Sequence, residues 1–209
     1  MNASDFIKHL KDKLQRELPG PKAHEKLLPI GRSAEIPKEA AKKARKSAVA
    51  FVLFYEKEWK SILIQRPEYE GHHSGQVCLP GGQCDKADKT AIDTALRECE
   101  EETGIPKSKL ELVGQLSPVF IPVSNFLIEP FIFYLPKLVA FTPDPREVQE
   151  IFEFELKKDL RDNKIDYTEI VLAQNKSLPN VPYYPIKEKV VWGATALILA
   201  EFQEILKNK

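Results

Sequence analysis

The 209-residue sequence lacks an excess of charge of either sign, because 31 Lys and Arg residues balance 31 Asp and Glu residues. A uniformly basic surface that could hold a nucleic acid is therefore not expected. It also lacks an apolar run of the ~18 residues that a membrane-spanning helix needs. Segment 126–141 comes nearest, and it is interrupted by Glu129, Pro130, Pro136 and Lys137. We expect neither a nucleic-acid partner nor a membrane partner.

Cysteine is scarce, and its pattern excludes two further classes. Cys78, Cys84 and Cys99 are odd in number and lack the spacing of a disulfide framework or a structural zinc site. The first residues show no basic region followed by an apolar run, so no secretion signal is predicted. These features together predict a reduced, cytoplasmic protein.

What is present is a globular composition, with 43% hydrophobic and 30% charged residues, in a chain long enough for one domain with an extension. Apolar spacing predicts an amphipathic helix over 4–18, and the Pro- and Lys-rich segment 19–46 reads as an extended connector. We therefore divide the chain into an N-terminal helix and connector, 1–46, and a main domain, 47–209. The basic end of the connector, Lys42 to Lys46, is interpreted as a solvated face, with a phosphate-binding patch as the alternative.

The main domain alternates strand and helix patterns. We predict strands from about 49 to 55, 59 to 65, 110 to 120, 126 to 135 and 148 to 156, and helices over 90–103 and 194–207. This order favours an α/β (α+β) fold in which helices flank a mixed β-sheet.

The helix over 90–103 carries an unusual acidic cluster. At ~100° per residue, Glu98, Glu101 and Glu102 fall within an arc of about 100°, whereas Glu100 points elsewhere. Carboxylates three and four residues apart near a helix C-terminus repel one another and oppose the helix dipole, so a divalent cation would stabilise them. Carboxylate oxygens suit Mg²⁺ or Mn²⁺. A plain acidic surface is the alternative at this point.

A glycine pair just upstream, Gly81-Gly82, allows the backbone to approach a ligand closely, so the Gly82 carbonyl could join the carboxylates. Together the two features resemble the box of the Nudix hydrolase superfamily, G-x5-E-x7-R-E-U-x-E-E-x-G-U, where U is aliphatic. Residues 97–105, RECEEETGI, match its second half if Cys99 serves as the small apolar residue. The first half is one residue longer than usual, and Lys89 stands where the pattern has Glu. Asp88 is the candidate substitute, and the alternative is that the role of this Glu is absent.

The flanking residues resemble the coenzyme A pyrophosphatase subgroup, whose pattern before the box is L-L-T-x-R-S-x3-R-x3-G-x3-F-P-G-G. The matching residues are Ile62, Leu63, Arg66, Gly75, Pro80, Gly81 and Gly82. The departures are Ile64, Pro67, Gly71 and Leu79, of which Gly71 matters most because it replaces a phosphate-binding cation. The segment around His73 and Ser74 and the late segment 191–196 also look like this subgroup.

The resemblance implies a Nudix-type α/β/α sandwich that hydrolyses a nucleoside diphosphate derivative by water attack on phosphorus with Mg²⁺ or Mn²⁺. Coenzyme A, or an acyl derivative, is the favoured substrate. It further implies a metal site of Gly82, Glu98, Glu101 and Glu102, catalytic roles for Arg97, Glu98 and the loop acid Glu147, and substrate contacts from Arg66, His73, Ser74 and Gly81. Trp192 is expected to pack the last helix on the sheet, with adenine stacking as the alternative.

Two other functions stay open on the sequence. One is hydrolysis of ADP-ribose or another nucleoside diphosphate, which Gly71 and Leu79 make plausible. The other is a Nudix-fold nucleotide-binding regulator without turnover, which the intact Glu98, Glu101 and Glu102 disfavour. A homodimer is possible by analogy with the superfamily.

Overall fold

A computed structural model of the protein describes residues 2–67, 75–161, 165–171 and 177–207. The chain begins with α1 (Ala3–Leu14), α2 (Pro21–His24), α3 (Lys38–Lys43), β1 (Arg45–Tyr55), β2 (Trp59–Gln65), β3 (Val77–Cys78), β4 (Gly81–Gln83) and α4 (Ala91–Thr103). It continues with β5 (Glu111–Gln115), β6 (Val119–Ile121), β7 (Phe126–Tyr134), β8 (Glu150–Glu155), β9 (Asp166–Val171), β10 (Ser177–Ile186), β11 (Lys189–Val191) and α5 (Gly193–Lys207).

Strand β1 is the centre of a mixed sheet. It pairs in parallel with β7 and antiparallel with β2 and β4. The path β3-β2-β1-β7-β5 is extended by β8 on β2 and by β6 on β7. Strands β9, β10 and β11 form a separate antiparallel sheet. This connectivity brings β4, which carries the glycine pair, directly alongside β1.

The central sheet is covered on both faces, which explains why β1 is apolar almost throughout. On one face Phe51 packs on Phe202 of α5, with ring centroids 4.6 Å apart. On the other face Val52 and Phe54 share a cluster with Cys99 of α4. Successive side chains of a strand point to opposite faces, so a strand between two helical layers needs apolar residues at every position. The predicted α/β/α sandwich is confirmed.

The N-terminal segment is not the extended connector predicted over 19–46, because it forms α2 and α3 and packs on the domain. Its anchor is Glu201 of α5, a carboxylate that is fully buried. Glu201 accepts hydrogen bonds from the backbone N–H of Gly20 (3.0 Å) and from the backbone and hydroxyl of Ser117 (2.9 and 2.6 Å). The buried His24 places Nε2 3.6 Å from Glu201 Oε2. A buried carboxylate requires such partners, so this contact holds the segment in place.

Helix α1 is attached to the same structure by its apolar face. Ile7 and Leu10 are buried in the core that also contains residues of α5. Phe6 stacks on Trp59 of β2, with ring centroids 4.3 Å apart. The predicted helix over 4–18 is confirmed in type but ends at Leu14.

Two strand predictions need correction. The strand predicted over 110–120 is divided into β5 and β6, with Ser117 between them turned to α5. The β9–β11 sheet was not predicted, because Pro182 and Pro185 lie within β10. Proline has no N–H for a strand ladder, so such a pattern argues against a strand.

No helix in the described ranges is both long enough and apolar enough to cross a bilayer.

Candidate active site

Helix α4 begins and ends where its local sequence signals put it. The Thr90 side chain accepts from the N–H of Asp93 at 3.2 Å, and Asp93 Oδ2 accepts from the N–H of Thr90 at 2.9 Å. Gly104 ends the helix in the left-handed conformation at φ 73°, where its N–H donates to the Glu100 carbonyl. This capping box and glycine cap fix the rotational position of every side chain on the helix.

Arg97 lies at the centre of the acidic cluster. Its Nη1 donates to Glu98 at 2.8 Å and to Glu101 at 2.9 Å. Its Nη2 donates to Asp88 Oδ2 at 2.9 Å and to the Gln83 carbonyl at 3.3 Å. The side-chain hydrogen bond to Asp88 contributes most to a pKa for Arg97 above its usual range. The arginine therefore holds Glu98 and Glu101 together on one edge of α4, as the helical arc predicts.

Asp88, rather than Lys89, faces the arginine. Its two carboxylate oxygens accept from Arg97 Nε at 3.1 Å and Nη2 at 2.9 Å, and Oδ2 also accepts from the Thr94 hydroxyl. The side-chain hydrogen bond from Arg97 holds the pKa of Asp88 far below its usual range. Lys89 occupies the position where the box has Glu. The contact with Arg97 is made by Asp88, the residue before it.

Glu102 is the buried acid of the cluster, with 1% of its side chain exposed. Its Oε2 accepts from the Gly81 N–H at 2.7 Å, and its Oε1 accepts from Arg66 Nη2 at 2.9 Å. The same Arg66 nitrogen donates to the Gly81 carbonyl at 3.0 Å. Burial raises the pKa of Glu102 to about 7, although the charge of Arg66 opposes this. The acid thus joins β2, the glycine loop and α4.

Gly82 lies so close to the Glu98 carboxylate that a side chain at this position would have to displace that carboxylate. A Cβ on Gly82 would overlap the carboxyl carbon of Glu98. Burial raises the pKa of Glu98, against the opposing effect of Arg97. The predicted approach of the glycine backbone to the acidic cluster is what requires glycine at this position.

The chemistry of these donors fits a hard divalent cation. The candidate oxygen donors are those of Glu98, Glu101, Glu102 and the Gly82 backbone. Burial raises the pKa of Glu98 and of Glu102. A nearby cation would lower both pKa values again, because it favours the charged carboxylate. The arginines fill this electrostatic role here, and within the described ranges no three His, Cys, Asp or Glu side chains are grouped as a ready metal site. Carboxylates now paired to Arg97 and Arg66 would have to exchange partners to hold an ion.

Glu147 lies in the loop before β8, where it is exposed. It is near enough to Glu102 for its charge to contribute to raising the pKa of that buried acid. Two residues after Glu147, the Gln149 N–H donates to the Gln65 carbonyl at the end of β2. This hydrogen bond connects the loop to the strand that precedes Arg66. His73 and Ser74, the other predicted contacts, lie outside the described residues.

A cavity of about 1300 Å³ opens beside the glycine loop. Arg66, Gly81 and Gly82 form part of its wall, so the predicted substrate contacts that the structure describes face one space. Trp192 also lines the cavity, although its predicted role was to pack the last helix on the sheet. Ligand cavities usually measure about 300–1,000 Å³, so this one has room for a large nucleotide derivative.

The N-terminal segment contributes cavity-lining residues that sequence reasoning missed. Leu27, Leu28, Arg32 and Glu35 line the same space as Gly82. The only signal was the proline-rich composition, which predicts an irregular segment but not where it folds back. Gln83, whose backbone carbonyl accepts from Arg97 and whose side chain accepts from Arg45, was also missed, because no sequence pattern places it beside Arg45.

Comparisons with known proteins agree with this geometry. The NUDIX domain profile matches residues 44–172. A protein described as the uncharacterized Nudix hydrolase NudL of Photorhabdus laumondii is 29% identical over 98% of this chain and 97% of its own length. The NudL protein of Yersinia enterocolitica is 33% identical over 66% of this chain and 69% of its own length.

Solved structures show the same fold. The MutT protein from Methanosarcina mazei superposes with a TM-score of 0.52 at 18% identity, covering 79% of this chain and 96% of that protein. A MutT/nudix family protein from Enterococcus faecalis gives a TM-score of 0.51 at 18% identity, covering 99% and 75% of the two chains. With the box geometry and the profile match over most of the chain, the protein belongs to the Nudix family and is a Nudix hydrolase.

Proposed function

We propose that this protein is a Mg²⁺- or Mn²⁺-dependent pyrophosphohydrolase that cleaves the diphosphate of coenzyme A or its acyl derivatives. The products are adenosine 3′,5′-bisphosphate and (acyl-)4′-phosphopantetheine. One water is consumed, the bond between the bridging oxygen and one phosphorus breaks, and the water oxygen stays on that phosphorus. The observation that carries the proposal is the cavity, because Gly82, where the box begins, and Arg66 share it with a large and mostly apolar wall.

The walls of the cavity match the chemistry of this substrate. Apolar residues such as Val49, Trp192 and Ile198 line much of the space and suit an adenine ring and a pantetheine arm. Arg66 lies at the glycine loop, where a diphosphate would meet the box. A cation on one side of a large, mixed cavity is the arrangement that an elongated nucleotide conjugate requires.

The protein's own residues would organise the reaction from α4. Glu98, Glu101, Glu102 and the Gly82 carbonyl would hold the divalent ion, which when bound neutralises diphosphate charge and makes a water more acidic. Arg97 keeps Glu98 and Glu101 in position, and Asp88 keeps Arg97 in position. Arg66, bonded to Glu102 and the Gly81 carbonyl, is placed to bind a phosphate oxygen of the substrate.

Removal of a proton from the attacking water has two candidates. Glu98 is semi-buried with a raised pKa, which improves its ability to accept a proton near neutral pH. Glu147 is exposed and close enough to affect Glu102 electrostatically, so it could accept the proton from the loop side. We place Glu147 in this role as the more accessible acid, because Glu98 is already engaged by Arg97.

A substrate panel tests the proposal. Coenzyme A, acetyl-coenzyme A, ADP-ribose and a dinucleoside polyphosphate are each incubated with Mg²⁺ and with Mn²⁺, and the products are identified by mass. We expect the coenzyme A compounds to give the highest kcat/KM, and Glu98→Gln to lower the turnover of all four substrates by at least about 100-fold. Faster cleavage of ADP-ribose than of coenzyme A would contradict the proposal and favour the nucleoside diphosphate sugar alternative.

A further inference from the structure

Two arginines in the cavity wall, Arg32 and Arg45, have no part in the box. Arg66, Arg97 and Arg146 each form an ion pair with a carboxylate. Arg32 and Arg45 also line or border the described space, and neither lies within salt-bridge distance of a carboxylate among residues 2–67, 75–161, 165–171 and 177–207. Glu35 is the one acidic residue among the described residues that line the cavity. Among the described residues, this part of the wall therefore carries more positive than negative charge.

Arg45 is held in a defined position without being neutralised. Its guanidinium lies over the Phe126 ring, 4.1 Å from the ring centroid, and its Nη2 donates to the side-chain oxygen of Gln83. Its backbone N–H donates to the Asn125 carbonyl at 2.8 Å. Both side-chain partners are uncharged, so the planar group is oriented while its charge and several N–H donors stay available. That is the arrangement in which arginine recognises a phosphate.

The register of β1 places this group near the box. Gly82 pairs with Ala48, and Ser47 pairs with Gln83, so Arg45 lies farther along the same strand. Three residues of an extended strand span ~10 Å. Gln83 connects the two regions directly, because its backbone carbonyl accepts from Arg97 and its side chain accepts from Arg45. A phosphate at Arg45 would thus lie within one nucleotide's reach of a diphosphate at Gly82.

We propose that Arg45, assisted by Arg32, forms a second phosphate subsite that recognises the 3′-phosphate of a 3′-phosphorylated nucleoside diphosphate. The inference rests on the proposed function, since coenzyme A carries its diphosphate and its additional phosphate on the 5′ and 3′ oxygens of one ribose. Arg45 determines specificity for the 3′-phosphorylated nucleotide. Arg32 adds a cation from the N-terminal segment.

Steady-state kinetics on coenzyme A and 3′-dephospho-coenzyme A test the subsite. We expect the parent protein to favour coenzyme A in kcat/KM by about 10- to 100-fold, the usual range for a charged hydrogen-bonded contact. In Arg45→Gln this ratio falls towards one, mainly through a higher KM for coenzyme A, and in Arg32→Gln it falls less. Lys46→Gln is the matched control, because the adjacent residue points to the other face of the strand, and it keeps the parent ratio.

Titration calorimetry gives a second measurement that does not depend on turnover. Adenosine 3′,5′-bisphosphate should bind the parent protein more tightly than 5′-AMP, and Arg45→Gln should remove the difference. Equal kcat/KM for the two coenzymes in the parent, or an equal loss on both in Arg45→Gln, overturns the subsite while leaving the proposed function intact. If neither coenzyme is cleaved while ADP-ribose is, the proposed function fails and the subsite fails with it.

Discussion

The box helix and the N-terminal segment hold charged groups in opposite ways. In the box, Arg97 reaches Glu98, Glu101 and Asp88, all within nine positions of itself in the sequence. In the N-terminal segment, the buried partner of Gly20 is Glu201, which is 181 positions away. The first cluster follows from helix geometry, whereas the second exists only after the chain has folded.

The two regions also differ in the pKa of their buried carboxylic acids, Glu102 and Glu201. Burial dominates at Glu102, whose pKa is raised to about 7. At Glu201 burial also acts to raise the pKa, but His24 and hydrogen bonds from Ser117 and Gly20 outweigh it, and the pKa is lowered. A buried carboxylate whose partners do not offset the effect of burial on its pKa suits a site that binds a cation. A buried carboxylate whose hydrogen bonds outweigh that effect suits a structural anchor.

The strongest test of the box is to neutralise one acid on its functional edge. Glu98→Gln removes a carboxylate that would hold the divalent ion, and it should lower kcat by about 10²–10⁴-fold, in line with the several kcal/mol that a bound metal ion supplies. Glu100→Gln is the control on the same helix, because Glu100 accepts instead from the Lys107 N–H, and it should keep near-parent activity. Rates with saturating Mg²⁺, together with circular dichroism spectra, decide the matter. Equal losses in both variants would mean that the edge has no special role.

Substitution of Glu201, the anchor of the N-terminal segment, should lower the stability of the protein rather than its catalytic rate. Glu201→Gln turns an acceptor into a group with N–H donors that face the N–H groups of Gly20 and Ser117, so we expect a loss of about 3 kcal/mol in the free energy of unfolding. Denaturant unfolding measures it. Glu204→Gln, which breaks only the partly exposed pair with Lys26, should cost no more than about 0.5 kcal/mol. Similar losses for the two would contradict the assignment of Glu201 as the anchor.

The glycine contact separates activity from stability. A Cβ at Gly82 meets the end of a flexible side chain, so Gly82→Ala should displace the Glu98 carboxylate with little loss of stability. Misplacement by about 1 Å can cost ~10²-fold in rate, and we expect a loss of that order. Parallel measurement of kcat and of the melting temperature checks this. A large drop in melting temperature would show that the backbone, and not Glu98, moves.

Substitution of Asp88, which contacts Arg97 in place of the box Glu, should have a smaller effect on activity. Asp88→Asn should weaken the hydrogen bonds that position Arg97 and so lower kcat/KM by about 10-fold. That is the usual effect of losing a residue that orients a metal-binding side chain without touching the metal. Lys89→Gln should change little, because no contact joins Lys89 to Arg97. The comparison shows which of the two neighbours carries the structural role of the box Glu. A loss in the Lys89 variant alone would reverse the assignment.

The two buried acids should give opposite pH dependence in the metal-free protein. The raised pKa of Glu102 means that its contribution to stability is present in acid and is lost as the pH rises through about 7. The lowered pKa of Glu201 means that its contribution is present at neutral pH and is lost as the pH falls through the carboxyl range. Each slope is at most about 1.4 kcal/mol per pH unit. Unfolding curves from pH 3 to 8 should lose the first slope in Glu102→Gln and the second in Glu201→Gln.

The box and the layered fold could be predicted because their signals are local or periodic. Thr90 and Gly104 fix the ends of α4, and the ~100° step then sets which of its acids share an edge. The double-sided apolar pattern of β1 likewise implies a layer on each face. The β9–β11 sheet could not be predicted, since the prolines of β10 disguise it. The sequence also left open whether Asp88 takes the place of the box Glu or whether that role is absent, because the position of the Asp88 side chain depends on the loop before α4.

The sequence by itself determined the family, the acidic edge of α4 and the need for glycine beside it, because these depend on residues a few positions apart. The tertiary structure alone decided that the segment before β1 folds back into the cavity wall and that Arg45 is oriented by Phe126 and Gln83. Which strands become neighbours depends on burial and sheet order over the whole chain, and no local pattern encodes that choice.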